Sequence, residues 1–344
     1  MTQIETAINE TISKANKIVV FSHIRPDWDA ISSNLLASEI LRLQFPEKVI
    51  VSAIEKCAIP NGEYLPGYQN IETDNAMDTI EKEKPDVIIM TDCPDFTRIS
   101  FDKEALKQYF STKQIPLIGI DHHPRERELL ADYISNHDYN DAVEEVHTLF
   151  VKTFGYAEPK ETPKYMAAGI LNDTNNFMFL KENHTQTLQY VDMILNKGYL
   201  LDEVSRQITR YTGQHLLVLS EFFTHYKIDK YVTYFWISDE FFHAHPEIPR
   251  DVYSISKDVI NHYFLRNISF NEIFLVIYPE NTGYKGSFRA LINRYDTTVF
   301  AKEFGGGGQK PAAGFNIDGV PNITTAIQMV LEVVEENLEA AKMF

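Results

Sequence analysis

Carboxylates and imidazoles recur at three separated points of this chain, each just after a short apolar run. KIVVFS (17–22) is followed by His23, Asp27 and Asp29; DVIIM (86–90) by Thr91, Asp92, Cys93, Pro94 and Asp95; and IPLIGI (115–120) by Asp121, His122, His123 and Pro124. A fourth cluster, GILNDT (169–174), adds Asp173 after an apolar, helix-like segment. One aspartate behind a strand is ordinarily a helix N-cap or a turn residue. Four such clusters together suggest a shared site. Carboxylates crowded together raise one another's pKa and cost several kcal/mol unless something compensates. Divalent cations do so. Mixed carboxylate and imidazole donors suit Mn²⁺, with Fe²⁺, Co²⁺, Zn²⁺ and Mg²⁺ as rivals, and a shared carboxylate can hold two ions ~3.5–4 Å apart.

These residues converge only if the runs before them are strands of one parallel sheet, whose carboxyl ends line a ligand crevice. The first half of the chain alternates short apolar runs with helical periodicity, as such a sheet requires. Strands are expected at Lys17–Ser22, Lys48–Ala53, Asp86–Thr91 and Ile115–Ile120, with helices over Ile31–Leu43, Asn75–Lys82 and Lys103–Phe110. From Asp141 to about Glu221 the pattern is almost wholly helical, with Pro163–Leu171 and Thr185–Asn196 clearest. Strand-like runs follow at Tyr226–Ser238, Glu272–Tyr278 and Tyr284–Asn293, then a helix over Thr297–Phe304, the glycines Gly305–Gly308, and a closing helix over Ile323–Met343. The expected fold is α/β in two domains: a doubly wound, mostly parallel N-terminal domain (1–198), a helical connector (199–224) and a smaller C-terminal α/β domain (225–344), with the active site in the cleft between them.

Length and charge bound the function. The 344 residues allow about two domains. The chain is 44% hydrophobic and 24% charged, which excludes collagen-like and wholly disordered classes. Two cysteines without a CxxC pair make neither a disulfide framework nor a thiolate zinc site, and a reducing cytoplasm is the expected location. No apolar run approaches the ~20 residues of a membrane span, and no signal-peptide pattern opens the chain. Thirty-two basic against 49 acidic residues give a net charge of −17, which disfavours duplex DNA as a partner. A small phosphorylated substrate is compatible, because a bound metal locally outweighs the global field.

At these residues the sequence resembles the DHH phosphoesterase superfamily, whose defining triplet stands here as Asp121-His122-His123. HIRPDWDAISS, TDCPDFTRI, IDHHP and GILNDTNNF resemble its four motifs in order and spacing. GSFRA (286–290) and FGGGGQKPAAGF (304–315) resemble the DHH-associated domain of the subfamily that contains RecJ and the NrnA-type nanoRNase/pAp phosphatases. The resemblance implies one metal on His23, Asp27 and Asp92, and a second on Asp29, Asp92, His122 and Asp173, with Asp92 bridging. It also implies two-metal hydroxide attack on phosphorus, with His123 beside the scissile phosphate and Asp92 and Asp121 in the catalytic group. Asp95 and Arg98 would support the site from behind. In the second domain, Arg289, Gly306, Gly307, Gly308 and Gln309 are the implied substrate contacts, through bidentate and backbone hydrogen bonds to phosphate.

Three departures from the family pattern bear on substrate choice. Gln309 stands where the glycine motif normally continues with His; it can hydrogen-bond phosphate but carries no charge. Trp28 and Ser32 replace glycines of the first motif, and Trp28 can either stack on a base or pack into the fold, packing being the reading adopted. NDAVEEV (140–146) lacks the usual Ser-Ser-Thr stretch. The resemblance therefore implies a Mn²⁺-dependent enzyme that hydrolyses short oligoribonucleotides or linear dinucleotides to mononucleotides, with removal of the 3′-phosphate of pAp as an allied activity. Two alternatives are a nucleotide-binding regulatory protein impaired in turnover and a pyrophosphate or polyphosphate hydrolase. A homodimer fits the family, though no sequence feature establishes it.

Overall fold

The computed structural model describes residues 1–123, 131–181, 184–209, 211–264, 271–280, 282–291 and 294–343, so Pro124 of the third motif and Asn293 of an expected strand lie outside the described residues. The chain divides into two compact units, Met1–Arg210 and Tyr211–Phe344.

The first unit runs α1 (Gln3–Lys14), β1 (Lys17–Ser22), α2 (Trp28–Gln44), β2 (Val49–Ala53), α3 (Ala76–Glu83), β3 (Val87–Thr91), α4 (Lys103–Thr112), β4 (Leu117–Ile120), β5 (Tyr133–Ser135), α5 (Ala142–His147), α6 (Thr162–Asp173), α7 (His184–Asn196) and α8 (Leu201–Ile208). Its five strands form a parallel sheet in the order β2-β1-β3-β4-β5. The chain reverses direction between β1 and β3, which makes their carboxyl ends the switch point where doubly wound sheets bind ligands. Alternation along β1 shows why both faces need helices. Ile18 and Val20 pack with residues of α1, α2, α5 and α6, whereas Val19 and Phe21 pack with Ala76 and Ile80 of α3 and Leu106 of α4.

The second unit runs α9 (Gly213–Thr224), β6 (Tyr226–Ile228), β7 (Val232–Trp236), α10 (Asp239–Ala244), α11 (Arg250–Val259), β8 (Ile273–Glu280), β9 (Gly283–Ala290), α12 (Thr298–Lys302), β10 (Gly307–Gln309), β11 (Ala312–Asp318) and α13 (Ile323–Ala341). Its six-stranded sheet, in the order β10-β11-β9-β8-β7-β6, is antiparallel except for β7 beside β8. α12 and α13 cover one face, and α9 and α11 the other. The segment 199–224 contributes α8 to the first unit and α9 to the second. Among the described residues no helix is long and apolar enough to cross a membrane.

Candidate metal centre

The loops that leave β1, β3 and β4 at their carboxyl ends bring the first-half candidates together, and α6 adds Asp173 as its last residue. Three overlapping groups could each hold a cation: His23 with Asp27 and Asp92; Asp29 with His122 and Asp173; and Asp92 with His122 and His123. Within each group the ligand atoms lie within 4.8 Å of one another. Asp92 is central. Its Oδ2 lies 3.0 Å from His23 Nε2 and its Oδ1 3.4 Å from His122 Nε2. His122 Nε2 also lies 3.1 Å from Asp173 Oδ2 and 3.9 Å from Asp29 Oδ2.

Local structure fixes each candidate ligand. Asp27 caps α2 by accepting from the Ala30 amide, which leaves its second oxygen available. Asp29 is fully buried and accepts from the amides of Ala142 and Val143 at 2.7 and 3.1 Å. Gly169 of α6 leaves room for that carboxylate, since a Cβ there would stand 2.7 Å from Asp29 Oδ1 and 2.6 Å from Val143 Cγ1. Asp92 holds a left-handed backbone at φ +58°, a conformation uncommon for residues that carry a Cβ, though Asp is among those that tolerate it best. Asp173 sits at the carboxyl end of a helix, where a negative charge is unfavourable without a cation nearby.

Electrostatics and hydrogen bonding both fit divalent cations. Burial, with the charges of Asp173 and Asp92, pushes the Asp29 carboxyl well above the usual carboxylate range. Close packing around Asp27, together with the charges of Asp92 and Asp173, raises its carboxyl to about 6. Burial opposes charge on Asp92, but the attraction of His122 and the hydrogen bond and charge of His23 outweigh it and hold the carboxyl far below its ordinary value. For His122 the desolvation cost is likewise overcome, by Asp173 and Asp92, and its pKa rises well above the ordinary value. Asp92 Oδ1 and His122 Nε2 are moreover buried without a hydrogen-bond partner among the described residues, as expected of atoms suited to a metal.

His123 differs from the ligands. Its ring is half exposed, and its Nδ1 lies 2.8 Å from Asp121 Oδ1, while its amide donates to Asp121 Oδ2 at 3.2 Å. Asp121 therefore sets the ring's orientation and places the proton on Nδ1, leaving Nε2 as the second functional nitrogen. Asp95 caps the turn Phe96–Arg98 by accepting from the Thr97 amide. Two features escaped sequence reasoning. Lys181 donates to the carbonyls of His122 and Tyr139 at 2.7 and 2.6 Å and lies 3.4 Å from His122 Nδ1, so it pins the loop that carries a ligand. Asp141 and Glu144, fully buried at the start of α5, surround the Asp29 anchor in the segment where the Ser-Ser-Thr stretch is missing. Neither has a spacing signature.

The second-half candidates form their own set. Arg289 of β9 and Gln309 of β10 both pair with Ala312 of β11, so the three side chains share one face across three strands, with the outer two about 10 Å apart. Arg289 Nη1 donates to Ser287 Oγ and to the Phe288 carbonyl, each at 2.8 Å. The glycines have a structural task. A Cβ at Gly306 would meet the Gly314 carbonyl at 2.3 Å, and one at Gly308 (φ +155°) would meet the Ala312 carbonyl at 2.4 Å. The amides of Gly305 and Gly306 are already bonded to the carbonyls of Lys302 and Ala301. Backbone donors open to a ligand are therefore fewer than four consecutive glycines suggest, and only at Gly307 does the space around a Cβ stay open within the run 306–308. Trp28 packs in the first unit's core at 7% exposure, which resolves its two readings in favour of packing.

Comparison with known proteins shows what the chain is similar to. The N-terminal domain of the DHH family matches residues 17–171, and the DHHA1 domain matches residues 252–336. The bifunctional oligoribonuclease and PAP phosphatase NrnA of Bacillus subtilis is 29% identical over 208 residues, which cover 59% of this chain and 60% of that protein. The protein of the same name from Mycoplasma pneumoniae is 22% identical over 320 residues, 92% of each chain. An exopolyphosphatase-related protein from Bacteroides fragilis shares the fold, with a TM-score of 0.81 over 99% of this chain and 98% of its own at 21% identity.

Proposed function

The chain belongs to the DHH superfamily, and from that premise we propose that it is a Mn²⁺-dependent phosphoesterase that hydrolyses short oligoribonucleotides and linear dinucleotides to mononucleotides, with pAp as a second substrate. The observation that carries this reading is Asp92, whose two oxygens face His23 on one side and His122 on the other, with Oδ1 buried and unpartnered among the described residues. His23, Asp27 and Asp92 would hold one ion, and Asp29, Asp92, His122 and Asp173 the other. When bound, such a pair activates water at neutral pH and neutralises charge on the phosphoryl oxygens. Mixed carboxylate and imidazole donors suit Mn²⁺.

The chain's own groups supply the rest. Asp121 accepts from His123 Nδ1–H, so Nε2 is the nitrogen that can accept a proton and, once it carries one, donate it to a phosphoryl oxygen or to the leaving oxygen. Ala142 and Val143 lock Asp29 by backbone bonds and Lys181 locks the His122 loop, which keeps ligand geometry independent of substrate. In the second unit, Arg289 grips phosphate through its guanidinium fork, with Gln309 on the same sheet face as a neutral donor. A net charge of −17 favours short substrates, since each added phosphate outside these contacts meets repulsion.

The experiment is a substrate panel with purified protein and Mn²⁺: pGpG, a short RNA, pAp, cyclic-di-AMP and pyrophosphate. The proposal expects mononucleotide release from pGpG and the short RNA, slower or no turnover of the cyclic dinucleotide, and no pyrophosphatase activity. Turnover of pyrophosphate alone would replace it with the phosphoanhydride reading.

A further inference from the structure

Three loops leave the parallel sheet at the carboxyl ends of the adjacent strands β2, β1 and β3, the same edge that carries the metal-ligand candidates. Two hydrogen bonds tie them together. The Ile24 amide donates to the Arg98 carbonyl at 2.8 Å, and Ser100 Oγ donates to the buried carboxylate of Glu55 at 2.6 Å. These ties bring one residue from each loop to a common point. The Arg25 guanidinium lies 5.9 Å, and Lys56 Nζ 5.1 Å, from the ring centroid of Phe101.

All three residues are exposed, Phe101 at 43%. Arg25 (φ +54°) and Lys56 (φ +51°) both sit on left-handed backbone, which is uncommon for residues that carry a Cβ. Arg25 stands midway between His23 and Asp27, two residues from each. In a chain with a net charge of −17, two cations gathered at one exposed aromatic ring are an uncommon grouping. Trp28, the other aromatic candidate for stacking, is buried.

We propose that Phe101 is a stacking platform for a nucleobase of the substrate held at the metal centre, with Arg25 and Lys56 meeting its phosphate or covering the stacked base. The assignment rests on the nucleotide-hydrolase reading and names a subsite within it. Every base presents a π-face, so this platform recognises a nucleotide without selecting its sequence, as a processor of mixed short RNAs requires. Arg stacks on a base as well as on a ring, and both cations attract the phosphate that follows it.

The test compares wild type, Phe101→Ala and Phe101→Trp in the full chain with Mn²⁺, using a linear dinucleotide and the same dinucleotide with an abasic residue at either position. Calorimetric binding of AMP and of ribose 5-phosphate runs alongside. Phe101→Ala should lower kcat/KM for the dinucleotide about 10-fold more than for one of its abasic counterparts, and Phe101→Trp should restore it. AMP should bind more tightly than ribose 5-phosphate only while the ring is present. An equal loss on all substrates, or no loss, overturns the platform. A wild type that hydrolyses none of them but prefers AMP in a Phe101-dependent way would retain the platform and overturn the hydrolase reading. Because Phe101 is exposed, unchanged melting temperatures are expected and exclude misfolding as the cause.

Discussion

Gly169→Ala tests whether the metal centre depends on close packing behind Asp29. In a helix interior Ala is favoured over Gly by about 1 kcal/mol, so propensity alone predicts a more stable protein. The structure predicts the reverse. The new methyl would stand 2.7 Å from Asp29 Oδ1 and 2.6 Å from Val143 Cγ1, both under any ordinary carbon contact. Neither neighbour yields easily, because Asp29 is held by the Ala142 and Val143 amides at 2.7 and 3.1 Å in a fully buried setting. Overpacking of this kind costs about 1–3 kcal/mol, and each hydrogen bond to the carboxylate lost on moving it costs about 1.5–3 kcal/mol. The expected net is destabilisation of about 1–3 kcal/mol without metal, and Mn²⁺ affinity lowered at least about 10-fold as a ligand leaves its place. Denaturant titration and calorimetric Mn²⁺ titration read the two effects. Gly213→Ala, where a Cβ meets nothing within 4 Å, is the control and should stay within about 0.5 kcal/mol of wild type. A Gly169→Ala protein as stable as wild type and with unaltered Mn²⁺ affinity would refute this view of how Asp29 is positioned.

Two further outcomes follow from the same geometry. Asp121→Asn removes the carboxylate that sets the His123 tautomer, so kcat should fall about 10²–10⁴-fold while Mn²⁺ affinity changes little; an unchanged kcat would remove His123 from the reaction. The metal-free protein should lose stability as pH rises from about 4 through 6 and beyond. The sign follows from Asp27, Asp29 and His122, whose raised folded-state pKa values mean that the native state holds more protons than the unfolded chain in that window. Asp92, shifted the other way, contributes only below about pH 4. Mn²⁺ replaces those protons, so it should raise the melting temperature more at pH 8 than at pH 5, with proton release on binding; a larger effect at pH 5 would contradict the assignment.

The parts legible in the sequence were those where a local pattern and a global rule coincide. Strands β1 and β3 are short, apolar at their centres and followed by ligand-type residues, and the rule for parallel sheets then joins them across 69 residues, as the His23–Asp92 contact shows. Helix α1 goes unread because only Ile8 and Ile12 form its buried stripe, too few apolar positions to stand out beside Glu5 and Glu10, although Thr2 with Glu5 makes a capping box. β5, only three residues long, carries too little alternation to stand out. Tyr226–Ser238 reads as one run, but Asp229 to Tyr231 turns it into the hairpin β6–β7. Behind the ligands, Gly169, Lys181 and Asp141 act through contacts between distant segments, for which no spacing rule exists. The glycine run read as a phosphate loop is largely a tight hairpin, a distinction that depends on which carbonyl each amide meets.

The central claim is that two metal ions share Asp92 and that turnover needs both. The direct measurement is Mn²⁺ stoichiometry by native mass spectrometry, taken beside initial rates on a linear dinucleotide as metal is titrated into wild type and Asp92→Ala. Two ions per chain, with activity rising on the second equivalent and lost in the variant at saturating Mn²⁺, is the predicted result. Full activity with a single ion, or retained turnover in Asp92→Ala, would contradict it.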